Sequence, residues 1–161
     1  MRPRPARYDH DIETADWTAV TIPVTATANL PGLTRRWGLW DGTARAAARV
    51  LVTESLRRCG PASHRERLTV TDGPTTLDDG VLTMRLSVRA VVHCGQWMAM
   101  YDLNGPGDAP RYAADLLARE FPGCVAGDLG DLLVIRDVGA ATFARCESPE
   151  PVNTGWVETR P

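Results

Sequence analysis

Arg85, Arg89 and His93 recur at every fourth position of one segment. In an extended chain such positions lie in line on one face. Each guanidinium is a planar, permanently charged fork that matches a carboxylate or a phosphate. Trp97 and Tyr101 follow on what reads as the neighbouring strand and share a face with each other. An open sheet face carrying these five residues could take a protein partner, a second copy of the chain, an anionic ligand or single-stranded nucleic acid. Two structural arrangements compete with that reading. The arginines could pair with carboxylates elsewhere in the chain, or a helix layer could cover the face.

A second basic group precedes it. Arg45 and Arg49 stand one helical turn apart, with Arg35 and Arg36 shortly upstream. As a phosphate-contacting surface this group would give salt-dependent nucleic-acid binding; as an ordinary solvated helix face it would do nothing specific. Charge is unevenly spread in the same sense. Residues 33–67 hold eight arginines against three carboxylates, a net +5, whereas residues 101–161 hold five against ten, a net −5. Such polarity favours an anionic partner, or pairing of the two halves within one molecule or between copies.

Other chemistry finds little purchase. All 18 basic residues are arginine, so a P-loop lysine, a Schiff base and a lysine general base are excluded. The arginine bias itself is what a G+C-rich genome produces, so it says little about nucleic acid. No glycine-rich dinucleotide fingerprint, nucleophile elbow or zincin motif occurs. The histidines His10, His64 and His93 and the cysteines Cys59, Cys94, Cys124 and Cys146 match no zinc spacing. His93 and Cys94 are adjacent on a predicted strand and would face opposite ways. No metal or cofactor is expected. Asp9-His10-Asp11 sets a carboxylate beside an imidazole, but in a segment read as a flexible arm. Gly127–Asp131 reads as a turn without the ligands of a calcium loop. A small enzyme or ligand-binding protein with Arg85, Arg89, His93 and Tyr101 around a pocket between sheet and helices remains a further alternative.

The elements that would position these groups follow from periodicity. Val20, Ile22, Val24 and Ala26 alternate with polar residues and predict a half-buried strand over 17–28, at an edge or bulged because Pro23 cannot donate to a ladder. Residues 30–42, with Pro31, Gly32, Gly38 and two tryptophans, read as a loop, and Trp37 and Trp40 are expected to plug the edge of the core. Ala44, Ala47, Ala48, Leu51 and Ser55 predict a helix over 43–58, ended by Gly60-Pro61. A short strand over 67–72 precedes two turns, Asp72-Gly73-Pro74 and Asp78-Asp79-Gly80. The strongest strand spans 81–94, with Met84, Leu86, Val88, Ala90, Val92 and Cys94 on one face and Arg85, Arg89 and His93 on the other. Residues 97–103 read as its hairpin partner. Pro110 opens a second helix over 109–121. Residues 132–138 and 141–146 read as a terminal hairpin across Gly139.

The order β-α-β-β-β-α-β-β predicts an α+β domain with two helices and a mainly antiparallel sheet, in the manner of a ferredoxin-like plait. Domain limits of 16–146 are expected, flanked by an arm over 1–15 and an extended tail over 147–161. Hydrophobic residues make up 43% and charged residues 24% of the 161-residue chain, an ordinary globular composition with enough length for a core. The start of the chain lacks the apolar stretch of a secretory signal and no run could span a membrane, so a cytoplasmic location is expected. The functional expectation is a non-enzymatic binding protein that acts through a basic sheet face or helix and self-associates, with nucleic-acid binding as the alternative.

Overall fold

The computed structural model describes residues 17–59, 68–125 and 127–146. Arm and tail, with Asp9-His10-Asp11, His64 and Trp156, lie outside the described residues. The order is β1 (Trp17–Asn29), α1 (Leu30–Trp37), α2 (Asp41–Arg57), β2 (Leu68–Asp78), β3 (Val81–His93), α3 (Cys94–Tyr101), α4 (Ala109–Glu120), β4 (Leu133–Val138) and β5 (Thr142–Arg145). Every strand pair is antiparallel. The class is α+β, as the periodicities indicate.

β1 and β3 form the spine, paired from Trp17↔His93 to Asn29↔Val81. β2 lies on the far side of β3. The β2–β3 turn is Asp79-Gly80, with φ of 52° and 80°. Two successive positive φ values mark the tight turn whose twist suits a hairpin, and Asp-Gly is a favoured pair for it. Asp72-Gly73-Pro74 is not a turn: it is a bulge inside β2, where the register shifts between Asp72 and Thr75. A side chain on Gly73 would come within 2.7 Å of the Arg85 carbonyl oxygen. Glycine lets the strand continue where the sequence reads as broken.

β1 is central rather than at an edge. Its second edge is shared by β4, along Val24–Ala28, and β5, along Thr18–Thr21. β4 and β5 are therefore consecutive lengths of one interrupted strand, not a hairpin. The interruption falls opposite Pro23, whose carbonyl accepts from the Gly139 N–H at 2.8 Å. A residue's N–H and C=O point the same way in a strand, so the missing donor of Pro23 faces the gap. The register irregularity of β1 against β4 lies further on, between Thr25 and Ala26.

The helices correct the sequence reading at two places. Residues 30–37 form α1, not a loop. Asn29 Oδ1 accepts from the Gly32 N–H at 3.0 Å, Pro31 occupies the first turn, and Gly38 closes the helix with φ of 68°. Proline near the start and glycine past the end are helix punctuation. Residues 94–101 form α3, not a strand partner for β3. His93 caps it through Nδ1, which accepts from the Gln96 N–H at 3.0 Å, and Asp102 ends it with φ of 56°. The order is thus β-α-α-β-β-α-α-β-β.

The core lies between one sheet face and the helices. β1 contributes Val20, Ile22, Val24, Ala26 and Ala28, and β3 contributes Leu82, Met84, Leu86, Val88, Ala90 and Val92. α2 buries Ala44, Ala48, Val52 and Leu56, with Ala47, Leu51 and Ser55 on the shoulder of that stripe. α4 buries Ala109, Ala113, Ala114 and Leu117, and Phe121 follows fully buried. Alanine at the contact lets a helix approach a sheet closely.

The outer sheet face as candidate interaction surface

The alternation that buries Leu82 through Val92 turns their neighbours outward. Register joins the outward residues of all five strands into rows. One row is Thr69, Arg89, Thr21 and Thr142; the next is Thr71, Ser87 and Pro23. Then come Arg85, Thr25 and Asp137, and finally Thr76, Thr83, Thr27 and Val134. These side chains are half-buried or exposed. The face is thus hydroxyl-rich with arginines set into it. β-branched threonine suits a pleated surface wet on one side.

Arg85 is exposed and makes no ion pair among the described residues. Arg89 is half-buried, and its Nη2 lies 3.7 Å from Cys146 Sγ. Its Nη1 is buried with no hydrogen-bond partner among the described residues. Arg136 is anchored at the rim, with Nε donating to Thr27 Oγ1 at 2.9 Å. His93 lies at the end of the row against Trp17, ring centroids 4.6 Å apart and planes at 84°. Its Nδ1 is committed to the α3 cap, leaving only Nε2 for other use. Ala19 and Val91 are buried at this end, at 4% and 2% exposure, outside the main core cluster.

Arg85, Arg89 and His93 therefore share one face, as their spacing indicates. Trp97 and Tyr101 do not join them, because α3 carries them into the helix layer. Trp97 belongs to the core at 3% exposure. Tyr101 packs 4.9 Å from Trp97 and 4.9 Å from Tyr112, centroid to centroid. Burial, then Tyr112 and Glu120, raises the Tyr101 phenol above its ordinary range. These aromatics consolidate α3 against α4. Among the described residues the sheet face carries aromatics only at its Trp17–His93 end, with none in its central rows.

Comparison with family models, with curated proteins and with solved structures finds no match.

The second basic group is divided by the fold. Arg49 donates to Asp72 of β2 at 2.6 Å, and Arg36 lies 3.8 Å from Asp128. Of the two, only Arg36–Asp128 joins the positive segment to the negative one; Asp72 lies between them in sequence. Arg35 and Arg45 remain exposed. Between α2 and β2 lies a depression of about 350 Å³ bordered by Ala46, Arg49, Val50, Thr53, Glu54 and Asp72. It holds an exposed ion pair and no buried titratable group. Among the described residues no three metal-ligating side chains come together.

Trp40 corrects another expectation. Trp37 packs against the core, but Trp40 is 78% exposed. It stands at the N-terminal boundary of α2, and Val50, at 62% exposure, lies on the helix crest opposite the buried stripe. Sequence reasoning also missed the threonine rows. Their signal was the threonine at every second position of Thr21–Thr27, broken only by Pro23, but alignment with Thr69 and Thr83 needs the register.

Proposed function

We propose that this chain is a non-enzymatic binding protein that meets another protein, a second copy of itself included, through the outer face of its sheet. The layering is the observation that supports this best: the described helices gather on one face, and the other presents hydroxyls and Arg85 in register rows. Hydroxyls donate and accept, and a guanidinium adds a fork for a partner's carboxylate. Small-molecule catalysis gains little, because the space between sheet and helices is filled by fully buried Leu33, Leu56, Val88 and Phe121.

The test is light scattering behind size exclusion at about 50 and 500 mM salt, where screening separates charged from apolar contact. A face-mediated assembly weakens with salt and is lost in a Ser87→Glu, Arg85→Glu variant that keeps the wild-type circular dichroism. For a partner of another kind, a photo-crosslinker at Ser87 should capture it and one at Val50 should not. A salt-indifferent monomer with no crosslink from Ser87 would remove the proposal.

Trp40 and Val50 favour a second reading, in which α2 rather than the sheet is the contact; the crosslinker at Val50 then gives the product. Nucleic-acid binding through Arg35, Arg36, Arg45 and Arg49 is the other alternative. Two of its four arginines already face Asp128 and Asp72. A gel shift at low salt that disappears in Arg45→Ala, Arg49→Ala would support it.

We also read the β2-β3-β1-β4 order, with helices on one face, as a ferredoxin-like plait in which β4 and β5 together serve as the last strand. Residues 16–146 are read as its single domain. No described helix is long and apolar enough to cross a membrane. The same reading places the chain in a reducing, cytoplasmic setting, where cysteines are kept as thiols.

A further inference from the structure

We propose that the partner of the outer sheet face is a second copy of this chain, docked face to face about a two-fold axis that runs along β1. The proposal rests on the reading of that face as the contact surface and names its occupant. One row carries the inference. Thr25 of β1 is opposite Arg85 of β3 on one side and Asp137 of β4 on the other. A cation and a carboxylate therefore stand two strand spacings apart, about 10 Å, with a short hydroxyl midway between them. Both are exposed, and neither has an ion pair among the described residues.

A row with opposite charges at its two ends is complementary to itself. In a two-fold contact, residue i meets residue j and j meets i. An axis lying between the two sheets and along β1 carries β3 of one copy over β4 of the other without changing the level along the strand. Arg85 then faces Asp137 of the second copy, and Asp137 faces its Arg85. The rows on either side meet without like charges: Arg89 falls opposite Thr142, and Thr83 opposite Val134. Exposed Arg136 is drawn away from this row toward Thr27. An axis across the strands at the same level would instead set Arg85 on Arg85 and Asp137 on Asp137, and like charges face to face are costly. The charges thus select one of the two arrangements. Stacked sheets lie about 10 Å apart, a gap that a long arginine and a short aspartate span together, while Thr21, Thr25 and Thr27 leave room for the guanidinium. Three strand positions overlap, over roughly 14 by 20 Å. This footprint is well below the roughly 800 Å² that each partner buries in a standard complex, so the dimer is weak and its two pairs of charges decide whether it forms.

The full chain is followed by sedimentation velocity from about 20 to 500 µM, the range of a weak contact, at about 50 and 500 mM salt. The wild type should dimerise with concentration, and less at the higher salt. Arg85→Asp and Asp137→Arg should each weaken the dimer at least about tenfold, because both contacts become repulsive. An equimolar mixture of the two variants should dimerise again, since in a mixed pair both contacts regain opposite signs; that rescue also shows each variant to be folded. The double variant Arg85→Asp, Asp137→Arg should pair with itself. A wild type that stays monomeric, single variants that dimerise like the wild type, or a mixture no better than its parts would each overturn the proposal. Should a single variant fail to fold, the wild type and the double variant decide: the proposal falls unless both dimerise. A photo-crosslinker at Ser87 separates this result from the broader reading. Capture of a different protein without any dimer overturns self-pairing and leaves the face as the contact surface, whereas neither dimer nor crosslink removes both.

Discussion

Adding one methyl group at Gly139 should loosen the whole second edge of the sheet. A Cβ built there lies 2.7 Å from Pro23 Cγ and 3.7 Å from Pro23 Cβ and Cδ. Ordinary carbon contact is about 3.5–4.0 Å, so only the Cγ contact is too short, by about 1 Å. Gly139 does not have a positive φ, so alanine brings no backbone penalty and the contact is the whole effect. Pro23 sits in the central strand between β3 and the β4–β5 junction and cannot retreat, which leaves Gly139 to move. That movement stretches the Gly139 N–H to Pro23 O bond of 2.8 Å. Overpacking costs about 1–3 kcal/mol and a weakened hydrogen bond about 0.5–1.5 kcal/mol. Gly139→Ala should therefore lose about 2–4 kcal/mol in urea unfolding at an unchanged m value. Gly105→Ala, whose added carbon meets nothing within 4 Å, serves as the control and should stay near wild type. The decisive arm is the double-mutant cycle with Pro23→Ala, which removes Cγ and keeps Cβ. The Gly139→Ala penalty should fall by at least about half in that background, a coupling of about 1–2 kcal/mol. An additive pair would refute the contact argument, and a Gly139→Ala variant as stable as Gly105→Ala would refute the placement of the junction.

Three further outcomes follow from single contacts. Asn29→Ala removes the side-chain cap of α1 and should cost about 1 kcal/mol in the same unfolding assay; no loss would mean α1 does not depend on that cap. Arg49→Ala breaks an exposed pair with Asp72, so its cost should stay below about 1 kcal/mol and shrink further in 0.5 M salt; a loss above 2 kcal/mol would show the pair to be structural. Tyr101 holds its proton more tightly in the folded protein than in the unfolded chain, through burial first and then Tyr112 and Glu120. Its stabilising contribution is complete below the unfolded phenol value near 10 and is lost as pH rises through the higher folded value. Melting temperature should therefore fall above about pH 10, and Tyr101→Phe should flatten that fall; an unchanged alkaline limb in the variant would remove Tyr101 from the account.

What the sequence made legible is what period alone can carry. The two-residue alternation of β1 and β3 and the helical spacing of α2 and α4 each bury the faces they indicate, because strong amphipathicity leaves one way to hide apolar surface. Some of the misread elements share a cause: a local signal was overruled by partners distant in sequence. Residues 97–103 are aromatic and apolar enough for a strand, yet Cys94 and Trp97, three residues apart, both enter the core, which only a helix permits. Its cap is a histidine, outside the usual N-capping set. Pro31 and Gly32 signal a loop until Asn29 is seen to accept from Gly32. Residues 142–145 are paired by β1, from Thr21↔Thr142 to Thr18↔Arg145 and so 121 to 127 residues upstream, and no local rule distinguishes that from a hairpin. The same limit applies to the candidate surface. The row of Arg85, Arg89 and His93 was readable from spacing, whereas the separation of Trp97 and Tyr101 from it depends on α3.

The layering also bears on why the outer face is the surface to test first. A sheet with β1 at its centre needs cover on one side only if its other side is polar enough to stay wet. In β1 and β3 that second side is built from Thr21, Thr25, Thr27, Thr83 and Ser87, small enough to leave the pleated surface shallow, with Arg85 standing clear of it. A surface meant only for solvent tolerates any mixture of long charged chains. This one instead keeps its long side chains at a few positions and ties one of them, Arg136, flat against Thr27. Short hydroxyl side chains and a guanidinium already anchored, as Arg136 is, lose little freedom when a partner arrives, whereas exposed Arg85, like Arg35 and Arg45 of the helix layer, has to be immobilised. If binding by this chain tracks substitutions at Ser87 and Arg85 and ignores those at Arg35 and Arg45, the sheet face is the functional one; the reverse pattern assigns the function to the helices.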